Sequence, residues 1–298
     1  MRLLLVGANG QIGHALRRSL APLGDVVSTL RSGHLDDGAA CETLDLADLD
    51  AIAPLVERVR PDVVVNAAAY TAVDRAEEDA DLAFRINALA TGRLAIACVR
   101  ADVPLVHYST DYVFDGRGSR PYREDDPTSP LGVYGNSKPD GEVAIADSGA
   151  RHLILRTAWV YGLYGHNFLR TMLRAGADRD ELRVVAAQHG CPTPAWLVAE
   201  ATTAILRQGI LDSGIRHLVA GGQTTWHGFA EAIFDEAFER GLIARRPIVT
   251  PIRSADYPAR AVRPAYSVLD TARLREEYAL ELPDWRDALA RTLAAQPR

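Results

Sequence analysis

Five short apolar runs in the first half of the chain are separated by stretches with helical periodicity. The runs are RLLLVG (2–7), DVVSTL (25–30), DVVVNAAA (62–69), PLVHYST (104–110) and HLILRTAWVYG (152–162). None of them alternates polar with apolar residues, so both faces of each strand are expected to be buried. A parallel sheet with helices on both sides meets this requirement, because right-handed crossovers place the connecting helices on its faces. The sequence predicts a doubly wound α/β fold.

A glycine-rich turn follows the first apolar run. Gly7, Gly10 and Gly13 are spaced by three residues in GANGQIG, and the helical stretch HALRRSL comes next. Glycines at this place allow a tight turn and let the backbone approach a pyrophosphate at the N-terminus of a helix. A turn without a ligand is the alternative, but the position between first strand and first helix favours a dinucleotide. The predicted cofactor contacts in this turn are Gly7, Asn9, Gly10, Gln11, Ile12 and Gly13.

The residues after the second run indicate which dinucleotide binds. Arg31 and Ser32 follow that run, and no acidic residue occurs before Asp36. An arginine accommodates the 2′-phosphate of NADP, whereas a carboxylate would bind the 2′-hydroxyl of NAD. We therefore predict NADPH, with NADH as the alternative cofactor and a solvated loop arginine as the competing explanation of Arg31. Asp45 and Leu46 are predicted to flank the adenine, although Asp45 equally suits the N-cap of the next helix.

The pattern changes after about residue 165. Helical stretches at 193–209 and 226–241 dominate, and the strands between them are short. We predict a dinucleotide-binding Rossmann domain over residues 1–165. A smaller, mainly helical substrate-binding lobe is predicted over residues 166–298, partly interleaved with the sheet.

Charge and cysteine content exclude several classes of partner. The net charge of −6 provides no basic surplus for nucleic acid or an anionic membrane. The three cysteines lie far apart and in no CxxC spacing, which is typical of reduced thiols. The first strand is too short for a signal-peptide core, and no apolar run approaches 18 residues. We predict a soluble, cytoplasmic protein with a small-molecule substrate.

One of the 33 Lys and Arg residues is a lysine, and it occurs in YGNSK. Tyr134 and Lys138 share a face if this stretch is helical. A phenol with its ordinary pKa of about 10 needs a nearby cation to work as an acid–base catalyst. A compact ammonium provides that charge and can also hold ribose hydroxyls, which a planar guanidinium does less well. We predict that both residues are catalytic, with an incidental surface lysine as the alternative.

Pro139 complicates the prediction of this helix. It removes one backbone donor and would clash with the carbonyl of Gly135 inside a regular helix. The helix therefore either begins close to Tyr134 or bends at Pro139.

A polar string, HYSTDYVFDG (107–116), follows the strand that we count as fifth. Ligands collect beyond the carboxyl ends of parallel strands. Thr110 is placed there to donate a hydrogen bond to a reacting carbonyl oxygen while Tyr134 donates the proton. Capping of the strand end is the alternative for Ser109 and Thr110. His107 and the other histidines show no metal-ligand spacing and are predicted to be structural or exposed.

The combination of these features resembles the short-chain dehydrogenase/reductases of the extended type. The shared marks are the Gly-rich first turn, a Ser or Thr at the end of strand five and the YxxxK helix. Within this group the chain is similar to the dTDP-4-dehydrorhamnose reductases from residue 3 to about 290. The strings that carry this similarity are RPDVVVNAAAYTAVDRAE, HYSTDYVFDG, YGNSK, RTAWVYG, NF (167–168), GCPT (190–193) and RP (263–264).

This resemblance implies a reaction and a set of contacts. NAD(P)H would deliver a hydride to C4 of dTDP-4-dehydro-6-deoxy-L-mannose, giving dTDP-L-rhamnose. Tyr134 would protonate the C4 oxygen, Thr110 would orient it, and Lys138 would position the nicotinamide ribose and lower the tyrosine pKa. The implied substrate contacts are Thr110, Asp111, Tyr112, Trp159, Asn167 and Arg263. The implied cofactor contacts after strand four are Asn66, Ala67, Ala68 and Tyr70. From the residues alone, Trp159 suits a core position as well as a ligand platform.

Two departures from the family pattern affect metal binding and assembly. Some relatives bind a metal at a dimer interface through carboxylates, and the matching residues here are Ala15 and Trp196. We therefore predict no metal and a monomer or weak homodimer.

Two other functions stay open at this point. One is a 4-ketoreductase for another dTDP-4-keto-deoxysugar, and the other is a non-catalytic NADP-binding regulatory subunit. The intact set of Thr110, Tyr134 and Lys138 argues against the second.

Overall fold

The computed structural model describes residues 1–210 and 212–296. The strands are β1 (Arg2–Val6), β2 (Asp25–Leu30), β3 (Glu42–Thr43), β4 (Val63–Asn66), β5 (Leu105–Thr110), β6 (His152–Thr157), β7 (Val160–Tyr161), β8 (Glu181–Val185), β9 (His189–Gly190), β10 (Thr193–Pro194), β11 (Gly214–His217), β12 (Thr224–Thr225) and β13 (Ile248–Ile252). The α-helices are α1 (Gln11–Leu20), α2 (Ile52–Val59), α3 (Val73–Ala76), α4 (Ala80–Phe84), α5 (Thr91–Ala101), α6 (Val133–Asp147), α7 (Phe168–Asp178), α8 (Ala195–Gln208), α9 (Trp226–Glu239), α10 (Ala272–Tyr278) and α11 (Trp285–Ala294).

Seven strands form one parallel sheet in the order β11-β6-β5-β4-β1-β2-β3. The predicted doubly wound fold is confirmed, and the five apolar runs supply β1, β2, β4, β5 and β6. The run at 152–162 does not continue as one strand. Trp159 has φ of +46°, a left-handed conformation that turns the chain out of the sheet between β6 and β7.

The two faces of the sheet carry separate cores, as the lack of alternation predicts. Leu3 and Leu5 of β1 pack in one cluster with residues of α1 and α8. Leu4 and Val6 point to the opposite face and pack with residues of α2, α5 and α6. Successive side chains of a strand point to opposite faces, so an apolar strand buried on both sides serves both clusters at once.

The second half of the chain contributes to both the sheet and a separate core. β11 adds an outer strand beside β6, and α8 packs against α1. A further cluster joins residues of α7, α9 and α11, among them Leu169, Phe229 and Trp285. The division into two domains near residue 165, with the second partly interleaved with the sheet, stays a prediction.

Residues Ala80–Ala101 form one helical stretch, in which a π-helical segment, Arg85–Ala90, lies between α4 and α5. An 18-residue window of this stretch has a mean hydropathy of 1.4, enough by length and composition to cross a membrane. However, 56% of that window is buried inside the protein. The stretch packs against α2 and α6, as a core helix does.

Candidate active site

The glycine-rich turn brings β1, α1 and the end of β4 into close contact. Gly7 has φ of +84°, and a Cβ there would lie 2.8 Å from the backbone nitrogen of Ala68. A Cβ on Gly13 would lie 2.0 Å from the carbonyl oxygen of Gly7. Glycine is therefore required at both positions. The free N–H groups of the first turn of α1 begin at this place, where an anion binds well.

Not every side chain predicted beside the cofactor is available to a ligand. Ile12 packs against the first core cluster, and Leu46 is buried in the second. The amide of Gln11 lies 3.4 Å from the carbonyl oxygen of Val160. Asn9 pairs through its side chain with Asp36. These positions can offer a ligand mainly their backbone groups.

Arg31 and Ser32 are exposed directly after β2. Within the described residues, no acidic side chain lies within ion-pair distance of Arg31. The nearest candidate in sequence, Asp36, instead pairs with Arg17 at 2.5 Å. Arg31 is therefore free to meet an added phosphate, which keeps the predicted 2′-phosphate contact as a hypothesis.

Asp45 accepts a hydrogen bond from the N–H of Ala47 at 2.9 Å, which closes a local turn. The alternative role of Asp45 as the N-cap of the next helical segment is wrong. That position belongs to Asp48, which accepts from the N–H of Asp50 at 3.2 Å.

Helix α6 begins at Val133, one residue before Tyr134. The carboxylate of Glu77 accepts a hydrogen bond from the N–H of Val133 at 2.9 Å and so satisfies one donor of the first turn. Pro139 lies inside the helix. Of the two arrangements that Pro139 allows, the structure has the helix beginning close to Tyr134.

The Tyr134 phenol lies beside the Thr110 hydroxyl, and its ring centroid lies 5.7 Å from that of Tyr112. Burial raises the pKa of Tyr134 to about 12, and Asp111 adds to the increase, while the hydrogen bond with Thr110 opposes it. The expected lowering of this pKa by Lys138 is wrong for this structure, because the cost of burying a phenolate dominates.

Lys138 is only 1% exposed. Its Nζ donates to the carbonyl oxygen of Tyr108 at 2.7 Å and lies 3.1 Å from Nε2 of His107. Burial lowers the pKa of Lys138 to about 8, while the charge of Glu142 acts in the opposite direction. The lysine is therefore a buried residue of the site, and the alternative of an incidental surface lysine is wrong.

Two buried residues that contact Lys138 or its neighbour Ser137 were not predicted from the sequence. His107 is buried against its amine, and no spacing rule singles out this histidine. Asn87 lies in the π-helical segment, where its Oδ1 accepts from the N–H of Tyr70 at 2.8 Å. Its Nδ2 donates to the carbonyl oxygen of Tyr70 at 3.0 Å and to Oγ of Ser137 at 2.9 Å. Asn87 thus connects the loop after β4 to helix α6.

The contact between α6 and the π-helical segment depends on Gly141. A Cβ at this position would lie 2.1 Å from the carbonyl oxygen of Asn87. We expect Gly141→Ala to lower the free energy of unfolding by about 1–3 kcal/mol, because backbone must shift to admit the methyl group. Turnover should also fall, since α6 carries both predicted catalytic residues. Thermal unfolding compared with Asp140→Ala, an exposed neighbour, tests this, and equal stabilities would contradict it.

A cavity that is open to solvent lies in front of Tyr134. It is lined by Val73, Glu77, Tyr112, Leu131, Gly132, Tyr134, Gly135, Ala261, Val262 and Pro264. Asp74 holds one wall in place by accepting from the N–H of Arg260 at 3.1 Å and of Ala261 at 3.0 Å. The guanidinium of Arg263, a predicted substrate contact, pairs with the same carboxylate at 2.6 Å.

Asp111 and Trp159, two predicted substrate contacts, follow the neighbouring strands β5 and β6 at the same edge of the sheet. Asp111 is buried with its Oδ2 unpartnered, and burial raises its pKa to about 7. The indole of Trp159 stacks on Trp226 with centroids 3.6 Å apart. A Cβ on Gly190 would lie 2.4 Å from the Trp159 ring, so the indole occupies the space that this glycine leaves.

The structure does not support Asn167 as a substrate contact. Its Oδ1 accepts from the N–H of Arg170 at 3.1 Å, as the N-cap of α7. Its Nδ2 donates to the carbonyl oxygens of Gly162 at 2.9 Å and Tyr164 at 3.1 Å. Because both ends of the buried amide bind backbone groups, Asn167 shapes the loop before α7 instead.

The positions that would hold a metal in some relatives have other contacts here. The guanidinium of Arg291 lies 3.7 Å above the ring of Trp196, whose indole N–H donates to Thr292. Within residues 1–210 and 212–296, no three His, Cys, Asp or Glu side chains form a group that could hold a metal.

The parallel sheet, the Gly-rich turn at its carboxyl edge and the Tyr134–Lys138 helix define a nucleotide-dependent reductase of the extended short-chain dehydrogenase/reductase class. The RmlD substrate binding domain model matches residues 1–297. A dTDP-4-dehydrorhamnose reductase of Burkholderia thailandensis is 46% identical over 97% of this chain and 97% of its own length. The chain therefore belongs to the RmlD family of dTDP-4-dehydrorhamnose reductases. A relative of the same description from Shigella flexneri is 42% identical over 98% of this chain and 97% of its own.

Solved structures agree with this assignment. A dTDP-4-dehydrorhamnose reductase from Bacillus anthracis in complex with NADP matches with a TM-score of 0.90 and 33% identity, covering 99% of both chains. An orthologue from Clostridium acetobutylicum matches with a TM-score of 0.88 and 34% identity, also over 99% of both chains.

Proposed function

We propose that the chain uses NADPH to reduce the C4 ketone of dTDP-4-dehydro-6-deoxy-L-mannose, giving dTDP-L-rhamnose. The observation that carries the proposal is the site itself: the Tyr134 phenol lies beside the Thr110 hydroxyl, and the single lysine of the chain is buried one helical turn further on. Membership of the reductase family supports the substrate class. Neither alternative function has an observation that favours it.

The glycine-rich turn fits a dinucleotide. A Cβ at Gly7 or Gly13 would clash with neighbouring backbone, so these glycines allow the tight turn before α1, and the N-terminus of α1 offers backbone donors for a pyrophosphate. Arg31 would meet the 2′-phosphate, and Ala67 and Ala68 would lie along the cofactor after β4. When bound, NADPH supplies the hydride for the reaction. The relative from Bacillus anthracis was solved with NADP, which supports this choice of cofactor.

The acid of the reaction is the Tyr134 phenol, which we place against the ketone oxygen together with the Thr110 hydroxyl. With a pKa of about 12, the phenol keeps its proton at neutral pH. It can therefore donate that proton to the oxygen at C4 as negative charge develops there. Thr110 holds the oxygen in position, and Lys138 holds the ribose.

The substrate would lie between the catalytic helix and the wall that Asp74 holds in place. Tyr112 lines the same cavity as Tyr134, and Arg263 is half-buried at its edge. We assign Arg263 to the charged nucleotide of the substrate and Trp159 to its flat or apolar surfaces. Asp111, buried beside Thr110, would accept or donate a hydrogen bond to a sugar hydroxyl.

We further infer that the protein is soluble and cytoplasmic and acts as a monomer or weak homodimer. Its net charge of −6 supports the absence of a nucleic-acid partner or an anionic membrane surface.

The first test is consumption of NADPH in the presence of enzymatically generated dTDP-4-dehydro-6-deoxy-L-mannose, with the product identified. We expect rapid oxidation of NADPH and formation of dTDP-L-rhamnose. Binding of NADPH without turnover would contradict the proposal. A panel of other dTDP-4-keto-deoxysugars would then distinguish another ketoreductase from a non-catalytic subunit.

Replacement of Arg31 tests the cofactor preference. We expect Arg31→Ala to raise KM for NADPH about 10- to 100-fold, the effect of losing one charge-assisted hydrogen bond of about 1.5–3 kcal/mol. KM for NADH, which lacks the 2′-phosphate, should change little. Arg31→Lys keeps the charge and should retain part of the preference. Equal changes for the two cofactors would return Arg31 to the role of a solvated loop residue.

A further inference from the structure

A continuous line of hydrogen bonds joins Lys138 to the sheet. The N–H of Ala68 donates to Oδ1 of Asn66 at 3.2 Å, and Nδ2 of Asn66 lies 3.1 Å from Nδ1 of His107. Nε2 of His107 lies 3.1 Å from Nζ of Lys138. The three side chains are each 1% exposed, so the line runs through the interior between β4, β5 and α6.

The N–H of Ala68, the first group of this line, fixes which atoms donate and which accept in the hydrogen bonds that follow. A backbone N–H can only donate, so Oδ1 of Asn66 is the acceptor and the Asn66 NH₂ group faces His107. An amide NH₂ also only donates, so Nδ1 of His107 accepts and carries no proton. The neutral imidazole then carries its proton on Nε2, the nitrogen that faces Lys138. This tautomer is assigned from the hydrogen-bond network.

An ammonium group has only donors and cannot accept a hydrogen bond from Nε2–H, whereas an amine can. We propose that His107 is a positioning residue that favours the hydrogen-bond-accepting amine form of Lys138 in the protein without cofactor, and so weakens the proton affinity of Nζ. The single lysine then gains and loses a proton within the working pH range instead of being a permanent cation. The inference rests on the proposed function only for the catalytic task of Lys138.

The other groups around Nζ are compatible with an amine. The carbonyl oxygen of Tyr108 on β5 accepts one of its hydrogens at 2.7 Å. On α6, Glu142 favours the charged lysine, but its carboxylate binds the guanidinium of Arg156 on β6 at 2.9 and 2.6 Å. Tyr134, the other titratable group on this part of α6, has a pKa of about 12 and is therefore neutral in the working pH range. Burial, which lowers the lysine pKa to about 8, acts in the same direction as the histidine.

The lone lysine makes a direct measurement practical. Full-length protein labelled with ¹³C at lysine Cε has one such resonance, and ¹⁵N labelling of histidine rings reports the tautomer of His107. Above the Lys138 midpoint we expect the Nε2–H tautomer, and we expect that midpoint at least about two pH units below the ordinary lysine pKa of about 10.4, a hundredfold weaker proton affinity. An Nδ1–H tautomer, a charged imidazole or an ordinary lysine titration would overturn the proposal.

The variant His107→Gln distinguishes an effect of His107 on the pKa of Lys138 from an effect on packing alone. The side-chain oxygen of glutamine can accept from an ammonium, so His107→Gln should raise the Lys138 midpoint by about one pH unit, or tenfold in proton affinity. The alkaline limb of kcat/KM should move up with it, because the charged lysine then persists to higher pH. His152→Gln is the control: His152 is also buried, but its Nδ1 lies 2.8 Å from the carbonyl oxygen of Ala150. A lower Tm without a changed midpoint would reduce His107 to a structural residue.

The two proposals can fail separately. The wild-type measurement needs neither substrate nor a folded variant. Absent turnover with the expected tautomer and lysine titration would remove the proposed function alone, while turnover with an ordinary lysine would remove only the role of His107.

Discussion

Replacing Tyr134 with phenylalanine is expected to lower kcat at least about 100-fold while leaving NADPH binding largely unchanged. The variant removes the only phenolic hydrogen that we place against the ketone oxygen, and general acid catalysis contributes about 10²–10⁴-fold. The ring and its buried environment remain, so folding should be preserved. Consumption of NADPH with the dTDP-4-keto-sugar measures turnover, and a fluorescence titration measures binding.

Tyr112 supplies a matched control for this experiment. Its ring lies 5.7 Å from Tyr134 and lines the same cavity. If it only contacts the substrate, Tyr112→Phe should change kcat less than about tenfold, with the larger effect on KM. A greater loss of kcat in Tyr112→Phe than in Tyr134→Phe would show that the proton donor is wrongly assigned.

Lys138→Arg should reduce turnover at least as steeply as Tyr134→Phe, although arginine, like lysine, is a basic residue. Lys138 is enclosed, with its Nζ 2.7 Å from the carbonyl oxygen of Tyr108 and 3.1 Å from His107. A planar guanidinium is larger and carries five donors, for which this site has few acceptors. Overpacking should also lower the free energy of unfolding by about 1–3 kcal/mol. Turnover and thermal unfolding measured on the same preparation test both parts.

Lys138→Met distinguishes loss of charge from overpacking, because methionine fills much of the same space without a charge. We expect it to unfold closer to the wild-type Tm than Lys138→Arg and to be equally inactive. Near-wild-type turnover in Lys138→Arg would contradict the idea that this site requires a compact cation.

Local patterns in the sequence were enough to predict the sheet and the central pair of the site. Apolar runs without alternation predict strands buried on both faces, and Leu3 and Leu4 of β1 do face opposite cores. The glycine spacing predicts the turn because Gly7 must adopt a positive φ. Tyr134 and Lys138 could be paired because a helix brings residues four apart onto one face.

Other predictions failed where burial or a distant partner decides the outcome. The pKa of Tyr134 is raised instead of lowered, since burial of the phenol disfavours its charged form. The resemblance implies that Asn167 contacts the substrate, but its amide donates to backbone carbonyls of its own loop. Such outcomes depend on how completely a side chain is enclosed, and sequence spacing contains little information on that.

The sequence by itself determined the order of strands and helices, the nucleotide turn and the positions of Thr110, Tyr134 and Lys138, because each depends on residues only a few places apart. Only the tertiary structure decided which groups surround the lysine and which close the cavity. His107 lies 31 residues from Lys138 along the chain, and Asp74 lies 189 residues from Arg263. These contacts form when the sheet and the second half of the chain pack together. Their energy comes from burial and hydrogen bonds between distant segments, which no local periodicity records.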